Sequence, residues 1–196
     1  MAATPPSNKI QNTSGNPGLF DQVSQQASNG LRELIQLMLD KAEEALYELS
    51  SNIEDEDGDN KYFDAMRQLR LNRKVIEGQF EDFVRQSFVA LQNNDVAAEL
   101  EQSTDELSLV DEDEMELQIT LSNMVDKSRP SFEDDLLLLT ERLGSLLARQ
   151  QIEDDCNPLD PKSVGNSFHL AIKDQQADME IKLILYKLYD QFVLSR

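Results

Sequence analysis

Two long stretches of this chain place an apolar residue at every third or fourth position, and nothing else in the sequence narrows the fold as far. In the first stretch Ala27, Leu31, Leu34, Met38, Ala42, Leu46, Leu49 and Ile53 follow one another at steps of three or four. That rhythm matches the 3.6-residue turn of an α-helix and gathers the side chains into one stripe. The spacing predicts a helix from Ser24 or Ser28 to Asn52, about 40 Å long at 1.5 Å per residue, with Gly30 as a weak point near its start. In the second stretch Tyr62, Met66, Leu69, Ile76, Phe80, Phe83 or Val84, and Leu91 predict a helix from about Asn60 to Asn93. The connection, Glu54-Asp-Glu-Asp-Gly-Asp-Asn60, is short and acidic. Two matched stripes joined by a short turn imply an antiparallel helical hairpin.

Helix breakers are scarce beyond the head of the chain: three of the six prolines lie in the first 17 residues, and there are seven glycines. That balance favours helices over a turn-rich β architecture. Residues 1–17 are rich in Pro, Ser, Asn, Thr and Gly and cannot bury enough apolar surface to offset their own ordering, so a flexible head is expected there. Residues 18–196 have the length of one domain with a hydrophobic core.

Further along, Asp111 followed by Glu114 resembles a capping box and favours a helix, whereas Met115, Leu117, Ile119 and Leu121 alternate as a strand would. Helix is preferred over 107–121, since no second strand pattern exists to pair with this one. Pro130 and the pair Ser131 and Asp134 mark the next helix start, followed by Phe132, Leu136, Leu139, Leu143, Leu146 and Leu147 to about Gln150. Asp160-Pro161 reads as N-cap and first helical residue, opening a helix with Val164, Phe168, Ala171 and Ile172. A last helix carries Met179, Leu183, Tyr186, Tyr189, Phe192 and Val193. The expected fold is all-α, a bundle of five to seven helices led by the long hairpin.

Charge constrains the partners. There are 18 basic and 38 acidic residues, a formal net charge of −20. Such a surface repels nucleic acid and anionic lipid at long range, so neither is an expected partner. Cys156 is the only cysteine, which excludes an intrachain disulfide and gives no sign of secretion. The first residues lack the apolar core of a signal peptide, and apolar runs such as Leu136–Leu139 are far too short to span a bilayer. A cytoplasmic location is expected.

Against this acidic background Arg67, Arg70, Arg73 and Lys74 put four cations into eight residues of the second helix. Residues three apart are neighbours on a helix, so the three arginines form a ridge. Guanidinium binds carboxylate and phosphate through two parallel hydrogen bonds, which makes the ridge a candidate site for an anion or an acidic partner. The reading preferred here is internal: the ridge pairs with the chain's own acidic stretch, with residues 99–116 as the candidate, because the net charge supplies many nearby carboxylates. Arg73 stands where the stripe calls for an apolar residue and is the member expected to be half-buried and paired.

Other chemistries find little support. Asp55, Asp57 and Asp59 have the spacing of a calcium loop, but its sixth and twelfth positions are Asn60 and Met66 instead of Gly and Glu. Zinc needs several His or Cys ligands, and His169 and Cys156 are the only ones. No glycine-rich phosphate loop occurs. No catalytic, metal or cofactor residues are assigned, and no enzyme is expected.

Four segments, Ala65–Glu77, Leu107–Met115, Asn157–Pro161 and Ile184–Val193, together resemble blocks of an uncharacterised proteobacterial family, a domain of unknown function some of whose members are labelled "thymidine phosphorylase". The resemblance implies the N-terminal part of a longer cytoplasmic protein. It also implies distal regions similar to PilZ-type cyclic-di-GMP receptors, although the R-x-x-x-R motif of those receptors is absent here. It supplies no catalytic residues, and the phosphorylase label finds no support in these segments. The expected function is a non-catalytic protein-interaction or regulatory domain with a protein partner, self-association being one option. The alternative is a receptor for a small anionic ligand, such as the nucleotide second messenger cyclic-di-GMP, bound at Arg67, Arg70 and Arg73.

Overall fold

A computed structural model describes residues 17–52, 60–93, 112–149, 152, 156–175 and 177–195. Among the described residues there are six α-helices and no strand: α1 (Pro17–Ser51), α2 (Lys61–Asn93), α3 (Glu112–Ser128), α4 (Glu133–Leu146), α5 (Pro161–Lys173) and α6 (Met179–Tyr189). A 3-10 turn, Arg129–Ser131, links α3 to α4, and a π-type turn, Asp190–Leu194, extends α6. The fold is all-α. Among the described residues no helix is long and apolar enough to cross a membrane.

α1 begins at Pro17, several residues before the serines expected to open it. Proline is tolerated in the first turn, where its missing N–H has no helical partner in any case. Fully buried Phe20 and half-buried Val23 then carry the apolar stripe backwards into that extension. The stripe itself is wider than its spacing suggested. Ile35 and Leu39 are buried beside Met38, Ala42 and Leu46, whereas Leu49 is exposed. The reason is that α1 is covered from several sides, by α2, α4, α6 and the π-type turn.

α2 starts as expected. The Asn60 side-chain oxygen accepts from the Phe63 backbone N–H at 3.2 Å, a helix N-cap. Its amide also donates to the Ser50 carbonyl at 2.8 Å, tying the start of α2 to the end of α1. Along the seam the partners run Ser50 to Asn60, Glu43 to Arg70, Gln36 to Glu77, Arg32 to Glu81 and Phe20 to Phe88. One number falls as the other rises, so the two helices lie side by side in opposite senses. On its other flank α2 packs against α5.

Residues 112–121 are helical, and their alternating apolar pattern is resolved in favour of α3. Asp111 lies outside the described residues. Ser131 does not cap α4: it closes the 3-10 turn, and α4 starts at Glu133 with no side-chain cap. Proline in the preceding turn lacks the free N–H a longer helix would use. Asp160 does cap α5, accepting from the Lys162 N–H at 2.8 Å with Pro161 next. At Gly165 α5 touches α3 so closely that an added Cβ would lie 2.9 Å from Leu121 Cδ1. The centre of the bundle holds Ile76, Phe80 and Phe88 of α2, Phe168 of α5, and Tyr186 and Tyr189 of α6, all buried.

Candidate functional site

The basic cluster on α2 is divided between two faces of the helix. Arg73 points to α1. Its Nη1 donates to Asp40 Oδ1 at 2.5 Å, its Nη2 to the Gln36 carbonyl at 3.2 Å, and its Nε to Glu77 Oε1 at 2.8 Å. Glu43 Oε1 lies 3.6 Å from Nη1. Hydrogen bonds from Asp40 and Glu77 raise the guanidinium's already high pKa. Buried Glu77 also accepts from Gln36 Nε2 at 2.9 Å. Burial alone would push its carboxyl up, but the Gln36 amide and the Arg73 guanidinium outweigh that and hold it below the ordinary value. Arg70 donates from Nε to Glu43 Oε2 at 2.6 Å. The internal partners of these two arginines thus lie on α1 and α2. Of the acidic stretch considered for that role, residues 99–111 lie outside the described residues.

Arg67 and Lys74 point away from α1. Neither makes a side-chain hydrogen bond or ion pair among the described residues. At 100° per residue they share the outward arc of α2 with Leu71, Val75 and Gly78. Leu71 is 67% exposed and Val75 51% exposed, and the space in front of Gly78 is open. Phe63 and Val89 prolong the arc toward the two helix ends. Asp64 and Asp82 mark its acidic limits; from Arg67 to Gly78 the outward arc holds two cations and no carboxylate.

A second place of interest is a cleft of about 360 Å³ between the α3–α4 corner and the loop before α5. Its floor is polar and buried. Asn157 Nδ2 donates to Thr140 Oγ1 at 3.0 Å, and Thr140 donates to the Leu136 carbonyl at 2.8 Å. Asn157 Oδ1 accepts from the Leu159 N–H at 2.9 Å, an Asx turn that sets the loop. Asp160 holds Arg129 Nε at 3.2 Å. Asp126 and Glu133 stand on the rim. The floor groups satisfy one another, so the arrangement reads first as the lock that seats α5.

The third polar cluster joins three helices. His169 of α5 has Tyr186 OH of α6 at 2.6 Å from Nδ1 and Glu114 Oε1 of α3 at 2.9 Å from Nε2. Both ring nitrogens are engaged there, and Cys156 is not one of their partners. Burial, and then the charge of Glu114, raises the Tyr186 hydroxyl's pKa. The calcium-like run Asp55–Asp59 lies outside the described residues.

Of the four sequence-predicted site residues, Arg70 and Arg73 join the seam, and Arg67 and Lys74 the open face. Sequence reasoning missed Leu71 and Val75 as their companions. The signal was there: both are apolar, out of phase with the buried stripe, and next to cations. It also missed the Asn157 floor, for which the only hint was the compact Asn157-Pro-Leu-Asp-Pro161 segment.

A family model described as "Protein of unknown function (DUF1631) N-terminal domain" matches residues 15–196. No curated protein and no solved structure matches the chain.

Proposed function

Since the chain belongs to this family of unknown function, we propose from its own residues that it is a non-catalytic protein-interaction module of the cytoplasm, acting through the outward face of α2. The observation that supports this is the company Arg67 and Lys74 keep: two cations with no ion pair among the described residues flank exposed Leu71 and Val75, in a chain of net charge −20. A single exposed leucine is ordinary. An apolar pair framed by cations that no carboxylate among the described residues takes up is the composition of a contact patch, since arginine is enriched at interfaces and rim charges steer the partner. The partner chemistry that fits is an acidic segment carrying apolar side chains.

A photo-crosslinking residue at position 71, expressed in cells, tests this against the same residue at exposed Glu48 on α1. Position 71 is expected to give a discrete adduct that disappears in an Arg67→Glu/Lys74→Glu background of unchanged melting temperature. Equal adducts at both positions, or an adduct indifferent to charge reversal, would overturn the reading.

The alternative, a receptor for a small anionic ligand, would require its phosphates to displace Asp40, Glu43 and Glu77 from Arg70 and Arg73. It predicts that cyclic-di-GMP raises the melting temperature of the wild type and not of Arg70→Glu, because a ligand selective for the native state must stabilise it.

A further inference from the structure

The outward face of α2 has a counterpart elsewhere on the same molecule. On α3, Met115 and Ile119 are both more than half exposed and stand four residues apart, as Leu71 and Val75 do on α2. Their arc also carries Glu112, Glu116 and Asp126, with no cation before Lys127, and Lys127 is already paired with Asp190 at 3.1 Å. None of those three carboxylates makes an ion pair or side-chain hydrogen bond among the described residues. Among the described residues, one helix thus offers an apolar pair flanked by unpaired cations, and another an apolar pair flanked by unpaired carboxylates.

The two cannot meet within one chain. α3 turns its buried side, Leu117, Leu121, Met124 and Val125, toward α5 and α6, and its outward arc points away from the bundle. We infer that the occupant of the α2 face is the α3 face of a second copy of this chain, an inference that rests on reading the α2 face as a contact surface. Opposite charges around a matched apolar centre favour this encounter, and like charges disfavour α2 on α2 or α3 on α3. α4 is the weaker acidic candidate: Leu137 and Leu138 are adjacent, so they fall on different arcs, and Arg142 follows them.

Because the two patches differ, the contact is head-to-tail. When two copies meet, one keeps an unused α3 face and the other an unused α2 face, so association builds rings or open chains and does not stop at a two-fold dimer. Sedimentation velocity of the full chain from low concentration up to about 100 μM tests this. The wild type is expected to grow with concentration, and less so at high salt, where exposed charges are screened. Arg67→Glu/Lys74→Glu and Glu112→Lys/Glu116→Lys should each be monomeric. Mixed one to one, they should associate again, since every acidic face of one variant then meets a basic face of the other. Asp134→Lys/Glu141→Lys on α4 should behave as wild type. All these positions are exposed, and circular dichroism would verify that each variant is folded.

A wild type that stays monomeric, variants that associate as it does, a mixture that stays monomeric, or an α4 variant that alone abolishes association would each overturn the inference. The α2 reading itself fails separately, if the adduct at position 71 is absent or indifferent to charge. An adduct to a different protein on a monomeric chain would leave that reading standing and remove the second copy.

Discussion

Along the seam between α1 and α2, charge is distributed; at the junction of α3, α5 and α6, polarity is concentrated. The seam places Arg32, Arg70, Arg73 and Arg85 among Asp40, Glu43, Glu77 and Glu81, most of them partly in water. The junction has one histidine between one tyrosine and one carboxylate, beside Phe168, which stacks on Tyr189 at 4.1 Å with the planes 5° apart. In the seam, loss of one partner leaves others within reach, and water screens the remainder. In the junction the His169–Tyr186 contact is buried and has no second partner among the described residues, and only Glu114, partly exposed, has Lys173 Nζ 3.8 Å away as well. Perturbations of comparable size should therefore be absorbed in the first place and felt globally in the second.

Phe168→Ala probes the junction most severely. Phe168 is fully buried, stacked on Tyr189 and edge-on to Tyr186. Truncation removes a ring and leaves a cavity, an expected loss of about 3–5 kcal/mol in chemical denaturation. A loss below about 1 kcal/mol would mean that the aromatic cluster is not where stability resides. Leu71→Ala, on the open face, should change stability by no more than about 0.5 kcal/mol.

Arg73 is the exception that sharpens the comparison, because it is the seam residue closest to a junction residue in character. Its side chain is 28% exposed against 61% for Arg70. Arg73→Ala leaves buried Glu77 without its cation and should cost about 2 kcal/mol, less than a fully buried pair because solvent screens part of it. Arg70→Ala should cost about 0–1 kcal/mol. The folded Glu77 carboxyl lies below its ordinary value. The stability it contributes is therefore present above about pH 4.5 and is lost as pH falls through the folded value. Melting curves of wild type and Arg73→Ala should converge in that acid range; a constant gap would show that the effect is packing and not charge.

Much of this was legible in the primary structure, because periodicity is a local property. The stripes of α1 and α2, the Asp160-Pro161 cap and the anomalous place of Arg73 all follow from residues within a turn or two of each other. What was not legible depends on register between helices. Asp40 and Glu43 face Arg73 and Arg70 because of how α1 and α2 are offset, which no single-helix pattern records. Asn157 meets Thr140 across 17 residues through a loop, and His169 finds Glu114 across 55. The start of α1 was misplaced for the opposite reason: Pro17 was read as a breaker where it acts as a first helical residue.

Two tyrosines three residues apart test the junction with opposite signs. The Tyr186 hydroxyl is bonded to His169, whereas the buried Tyr189 hydroxyl has no hydrogen-bond partner among the described residues. Tyr186→Phe leaves His169 Nδ1 unpaired and should cost about 1–2 kcal/mol; Tyr189→Phe removes an unsatisfied group and should be neutral or stabilising by up to about 1 kcal/mol. Burial raises the pKa of both hydroxyls. A group whose folded pKa is raised supports the fold fully below its ordinary value and ceases to as pH rises beyond it, so stability should decline above about pH 10. Each substitution should flatten part of that decline. Equal effects of the two at neutral pH would contradict the division between paired and unpaired hydroxyls.

A modest effect of opposite sign concerns the seam's far end, where the turn after α4 reaches back to α2. Ala148 has a φ of 54°, and around it the Arg149 N–H donates to the Gly144 carbonyl at 2.9 Å and the Ala148 N–H to Ser145 at 3.2 Å. This is a Schellman ending, whose left-handed position usually belongs to glycine. The turn delivers Arg149, whose Nη1 and Nη2 donate to the Leu91 and Gln92 carbonyls at 2.5 and 2.9 Å, capping the negative end of α2. Ala148→Gly relieves a left-handed Cβ worth about 1–2 kcal/mol and gives back roughly 0.4–1 kcal/mol through the freer unfolded chain. A net gain of about 0.5–1 kcal/mol is expected, or a rise of about 2 °C in melting temperature for a domain of this size. A loss instead would mean that alanine's restricted backbone holds Arg149 on α2, so that this distributed contact depends on one residue, as the junction does.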